Sequence, residues 1–162
     1  MNLNAPNPYI RTLLNFAIGM LIILCSGCAS NQMERDFFDK EYDQSGVRFD
    51  TYSITDQIKI YLYGMQFITP PMPVLSRQIA EHGQAAIGPM ISELSGNPSE
   101  QNINDLMVVF EAMQSMSTYN VQGDKVLIRK LDGYVDGMKN KIVRGYTQAR
   151  LARIKQSIRD AD

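Results

Sequence analysis

From Ile54 onward the apolar side chains recur every three or four residues, and that spacing commits the chain to helices. Ile54, Ile58, Tyr61, Met65 and Ile68 advance by four, three, four and three, which places them on one face. Ser53 or Thr55 is positioned to cap the start. Thr69-Pro70-Pro71-Met72-Pro73 ends the run, because proline cannot continue a helix. Val74, Leu75, Ile79 and Ala80 form a second apolar set that stops at Gly83.

Ala86, Ile87, Met90, Ile91 and Leu94 mark a third helix, with Pro89 inside it and Ser95-Gly96 closing it. Asn97 as cap, Pro98 at the first helical position and Glu100 three residues on predict a further start. Its buried face is Ile103, Leu106, Met107, Phe110 and Met113. After a loop over 118–123, Asp124 caps the last stretch. There Leu127, Leu131, Tyr134, Val135, Met138, Ile142, Tyr146 and Ala149 read as one stripe of six turns, extended by Leu151, Ile154 and Ile158. Gly133, Gly137 and Gly145 leave room for a break, each costing about 1 kcal/mol relative to Ala. No segment alternates with period two between turn pairs, so the predicted fold class is all-α. A stack of helical hairpins and a compact bundle both satisfy the pattern.

The composition narrows the function. The chain has 162 residues, 16 Lys+Arg against 17 Asp+Glu, and a net charge of -1, which argues against a nucleic-acid binder. One His and two Cys are too few for a zinc or haem site, so no metal or cofactor is expected.

The N-terminus reads as an address. Arg11 is the one charged side chain before Glu34. Leu13 to Leu24 is a mostly apolar stretch of 12 residues, short of the roughly 20 that a spanning helix needs. Cys25-Ser26-Gly27-Cys28-Ala29-Ser30 follows. It resembles the lipobox of bacterial lipoproteins: Ser26 and Gly27 match the small positions flanking the cleavage point, and Cys28 matches the modified cysteine. Cys25 departs from the usual Leu. The resemblance implies a signal peptide over 1–27, cleavage before Cys28, and acyl chains, palmitate among them, on that residue as a membrane anchor. By the sorting pattern of enterobacterial lipoproteins, Ala29 and Ser30 after the cysteine imply the outer membrane, with the domain facing the periplasm. The alternative is an uncleaved anchor or a chain cut elsewhere.

No cysteine follows Cys28, so the mature chain has no internal disulfide and must be held by its core. Residues 28–53, from the lipidated cysteine on, read as an acidic tether, although Phe37, Phe38 and Tyr42 could pack as a short helical turn. Between Glu34 and Asp56 seven acidic residues face three basic ones. Residues 54–162 are then the helical domain.

Within it, Ile79-Ala80-Glu81-His82-Gly83 followed by Ala86-Ile87-Gly88-Pro89-Met90-Ile91 and Leu94 is similar to a HEAT repeat. In that family a helix ends at glycine and an Ala-Ile-x-Pro segment opens the next. Residues 97–117 would begin a second unit, so the resemblance spans 79–117. It implies protein binding on a helical surface.

No catalytic constellation stands out, and no enzyme or small-molecule substrate is expected. His82 has no nucleophile elbow beside it, and its position suggests a helix-end residue satisfying terminal carbonyls. Asp132 and Asp136 share a helical face but read as solvated. Seven methionines in the helical region fit core packing. The charge pattern is more telling: Lys139, Lys141, Arg144, Arg150, Arg153, Lys155 and Arg159 follow one another with no acidic residue between Gly137 and Arg159. That basic helix is a candidate contact for an anionic partner.

Two roles follow from these readings. One is a lipid-anchored adaptor that binds another envelope protein. The other is an envelope-structural protein whose basic C-terminal helix touches anionic lipid or cell wall. Both need the anchor. Replacing Cys28→Ser is expected to remove the acyl mass from the purified protein and release it from the membrane fraction, read by intact-mass spectrometry and fractionation.

Overall fold

The computed structural model describes residues 31–41 and 48–156, and among these every regular element is helical. Cys28, Ser26, Gly27 and Arg159 lie outside the described residues. The elements in chain order are α1 (Gln32–Asp36), a π-helical turn (Phe37–Glu41), a 3-10 turn (Phe49–Thr51), α2 (Ile54–Phe67), α3 (Leu75–Glu81), α4 (Gln84–Ser95), α5 (Glu100–Ser115), α6 (Lys125–Asp136) and α7 (Lys141–Gln156). The protein is all-α.

Local chemistry sets most of the starts. Ser53 Oγ accepts the Asp56 N–H at 3.2 Å, opening α2. Asp124 accepts from the N–H groups of Val126 at 3.1 Å and Leu127 at 2.9 Å, opening α6. α5 begins two residues later than Asn97 predicts. Asn97 takes φ 62, a left-handed conformation that asparagine tolerates, and Ser99 becomes the cap, accepting from Asn102 N at 3.0 Å. Gly83, between α3 and α4, has φ 53, and a Cβ there would lie 2.5 Å from the Thr118 carbonyl oxygen. Thr118 in turn donates its hydroxyl to Ala80 O at 2.6 Å. Glycine therefore serves both the turn and the close approach of the 118 loop.

The core gathers on α5, where Ile103, Leu106, Met107, Val109, Phe110 and Met113 are all buried. α7 and α3 pack most extensively on it, α2 and α4 add further faces, and α2 also packs on α4. Met90, Met107, Met113 and Met138 are buried, so these methionines are packing residues.

The acidic segment before α2, where described, packs as the short helical turn that Phe37 and Phe38 allowed rather than as a solvated spacer, while Tyr42 lies outside the described residues. Phe37 and Phe49 are 1% and 0% exposed, and Glu34 is buried as well. The Phe37 ring meets Phe38, Phe49 and Tyr52 edge-on, with centroids 5.0, 5.8 and 5.8 Å apart. Phe38 lies over α2 at Gly64, where a Cβ would come within 2.6 Å of its ring. Two aromatic side chains thus draw into the core a segment whose charge pattern reads as solvated. The area they remove from water outweighs the polarity of their neighbours.

The final apolar stripe is also revised. The helix breaks between Asp136 and Lys141. The Glu100 carboxylate accepts the N–H groups of Lys139 at 2.5 Å and Asn140 at 2.9 Å, and Asn140 Oδ1 accepts from Ile142 at 3.0 Å and Val143 at 3.3 Å. The break resets the helical phase, so α7 buries Thr147, Leu151 and Ile154. Ile142 and Tyr146, predicted to face the core, are 71% and 68% exposed, and Ala149 is exposed with them.

If the Phe37 and Phe49 rings belong to the core, Phe49→Ala should cost about 3–5 kcal/mol in urea unfolding. A change within about 0.5 kcal/mol is what a solvated spacer would give.

Candidate functional site

α7 and the turn before it carry the site that the sequence points to, and the six described of the seven predicted cations fall into two groups. Toward its C-terminal end Arg150 Nη1 lies 2.9 Å from Glu111 Oε2, and Arg153 Nε lies 2.5 Å from Glu111 Oε1. Lys155 Nζ reaches Asp132 at 2.5 Å. These three cations fasten α7 to α5 and α6. They answer acidic side chains that sit on other helices and so do not interrupt the basic run in the sequence. The charges at 150, 153 and 155, read from the sequence as a contact for an anionic partner, are thus engaged within the domain while their side chains stay partly exposed.

Lys139, Lys141 and Arg144 form the other group. Lys139 and Lys141 are exposed, and no ion pair among the described residues involves any of the three. Arg144 Nη1 donates to Met138 O at 3.3 Å, spanning the break. Ile142 and Tyr146 stand on the same outer turns. Together they present large apolar surface among cations, on a helix firmly seated through its other side.

Beside Tyr146 a groove of about 380 Å³ runs between α7 and α5, lined by Gln101, Asn104, Ile142, Val143, Tyr146 and Arg150 among others. Gln101 and Asn104 are held by the Asp105 carboxylate beneath them, at 2.9 and 3.3 Å. Burial pushes the Asp105 carboxyl up, against hydrogen bonds from Gln101, Asn104 and Gln66 and the charge of Arg150. Its backbone carbonyl accepts the Tyr61 hydroxyl at 2.8 Å, and burial followed by the Asp105 charge drives that phenol upward. At Glu111 burial works in the same upward direction, but the hydrogen bonds and charges of Arg153 and Arg150 outweigh it and hold the carboxyl low.

The residues weighed for catalysis are occupied elsewhere. His82 Nε2 lies 2.8 Å from Gln57 Oε1, so its partner is a buried side chain of α2 rather than the terminal carbonyls expected for it. Asp132 is taken by Lys155. Among the described residues no three His, Cys, Asp or Glu side chains gather as a metal site, and no helix is long and apolar enough to cross a membrane. No known protein family, curated protein or solved structure matches the chain.

Sequence reasoning found Lys139, Lys141 and Arg144 through their charge. It missed Ile142 and Tyr146 as surface residues, because their spacing continues the stripe of α6. The usable signal was Gly137 followed by Asn140, a stop and then a new cap.

Because Glu111 has a folded-state pKa below its unfolded one, its stabilisation is complete above the unfolded value, about 4.3, and is lost as pH falls through the folded value. Glu111→Gln should therefore lower stability by about 1 kcal/mol at neutral pH. The two unfolding curves should converge as the solution is acidified below the carboxylate range.

Proposed function

We propose that this chain is a lipid-anchored lipoprotein of the bacterial outer membrane whose periplasm-facing helical domain binds another envelope protein, without catalysis of its own. The anchor reading rests on the Ser26-Gly27-Cys28 motif behind an apolar stretch of signal-peptide length. The binding reading is carried by one observation: Ile142 and Tyr146 are 71% and 68% exposed on a helix that is otherwise well seated. Adjacent exposed apolar side chains are costly to leave in water unless something covers them part of the time, and aromatic side chains dominate binding energy where they are covered. Lys139, Lys141 and Arg144 flank them and favour a partner with acidic residues around an apolar centre. The pairing of Arg150, Arg153 and Lys155 within the domain weakens the alternative of purely electrostatic contact with lipid or cell wall, since it leaves fewer cations to supply the attraction.

A photo-crosslinker at position 146 of the full-length protein in living cells is expected to give one discrete protein adduct. Ile142→Ser should reduce that adduct by about tenfold or more, with an unchanged unfolding midpoint. Equal capture by the Ile142→Ser protein would sink the α7 reading. Retention in lipid or cell wall that salt abolishes, with no protein adduct, would favour electrostatic contact instead.

A further inference from the structure

The described domain begins at Asn31, three residues after Cys28. Because α1 and the turns that follow it pack on the core, the distance from Cys28 to the folded surface is set by those three residues. Extended chain covers at most about 3.6 Å per residue, so a membrane-held Cys28 keeps Asn31 within roughly 11 Å of the lipid surface. Whatever side chains surround Asn31 are then at the bilayer.

Asn31 shares a cleft of about 180 Å³ with Glu34, Lys59, Tyr63, Phe67 and Glu93, among others. Phe67, the last residue of α2, is 64% exposed. Its ring centroid is 4.9 Å from that of Tyr63, and Tyr63 stacks at 6.0 Å on Phe38, the ring seated over Gly64. Gln66 Nε2 donates to Asn102 Oδ1 at 2.7 Å, tying this end of α2 to α5. The aromatic pair is therefore pre-ordered. Beyond it, residues 68–74 carry no charged side chain, and Pro70, Pro71, Pro73 and Val74 are exposed.

We propose that the edge formed by Tyr63, Phe67, Pro70 and Pro71 rests in the headgroup region of the bilayer that holds Cys28. The inference depends on the anchor reading above and adds to it an orientation for the domain. Aromatic side chains favour the membrane interface, and an uncharged, proline-rich loop can enter it without burying a charge. A short leash makes the contact intramolecular in effect, so a modest apolar area suffices. With α2 toward the lipid, the partner-binding face of α7 belongs to a separate helix packed on α5 and α6.

The chain contains no tryptophan, so Phe67→Trp introduces a single fluorescent reporter at an exposed position. The full-length variant is expressed in a bacterium, purified from membranes, checked for acylation by intact mass, and reconstituted into vesicles of phosphatidylethanolamine and phosphatidylglycerol brominated near the headgroup end of the acyl chains. Its emission should shift to the blue and fall about twofold relative to unbrominated vesicles, while a Tyr146→Trp control on α7 should change little. Pro71→Trp provides a second reporter on the same edge and should behave like Phe67→Trp. An acylated protein whose tryptophan at 67 or 71 is not quenched overturns the orientation and leaves the anchor intact. Absence of acyl mass on Cys28 overturns the anchor reading, and the orientation falls with it.

Discussion

Burial of one face of α5 is the constraint on which the other helices depend. With no cysteine after Cys28, cohesion has to come from apolar area, and Leu106, Met107, Phe110 and Met113 concentrate that area on one central helix. α3, α2, α4 and α7 are arranged by the need to cover it. Two polar groups inside this assembly are placed with their partners: the Tyr61 hydroxyl on the Asp105 carbonyl, the Gln57 side chain between Tyr52 O and His82. Such pairing is what permits them to leave water.

Glu100 extends the influence of α5 to the C-terminal helices. Sitting in its first turn, the carboxylate accepts two backbone N–H groups from the segment that separates α6 from α7, donors that a continuous helix would have used internally. Once the chain is turned there, α7 is free to choose its own buried face. It presents Thr147, Leu151 and Ile154 to the interior and hands Ile142 and Tyr146 to the outside. The surface proposed for partner binding is therefore a consequence of a break in a helix, and the ion pairs of Arg150, Arg153 and Lys155 hold the new phase in place.

The N-terminal segment shows the same dependence in another form. Phe37, Phe38 and Phe49 are scattered among acidic residues and have no helical period of their own. Phe37 and Phe49 become core residues, and Phe38 packs beside them over Gly64 of α2, a match that is invisible until α2 is folded. Docking of the segment places residues 31–41 and 48–53 with the helices rather than apart from them.

Much of the architecture was nevertheless legible in the residues alone. The all-α class, the caps at Ser53 and Asp124, the stops at Gly83 and before Pro70, and the buried face of α5 follow from interactions spanning four residues or fewer, which the order of side chains specifies directly. The run of cations from Lys139 to Lys155 belongs to the same kind of information. Tertiary structure alone decided which cations are already neutralised, which apolar residues of α7 remain outside, and that residues 31–53 join the core where described. Each of those outcomes depends on a partner distant in the sequence, Glu100 and Glu111 for α7 and Gly64 for Phe38, and contacts of that kind exist only once the helices have packed.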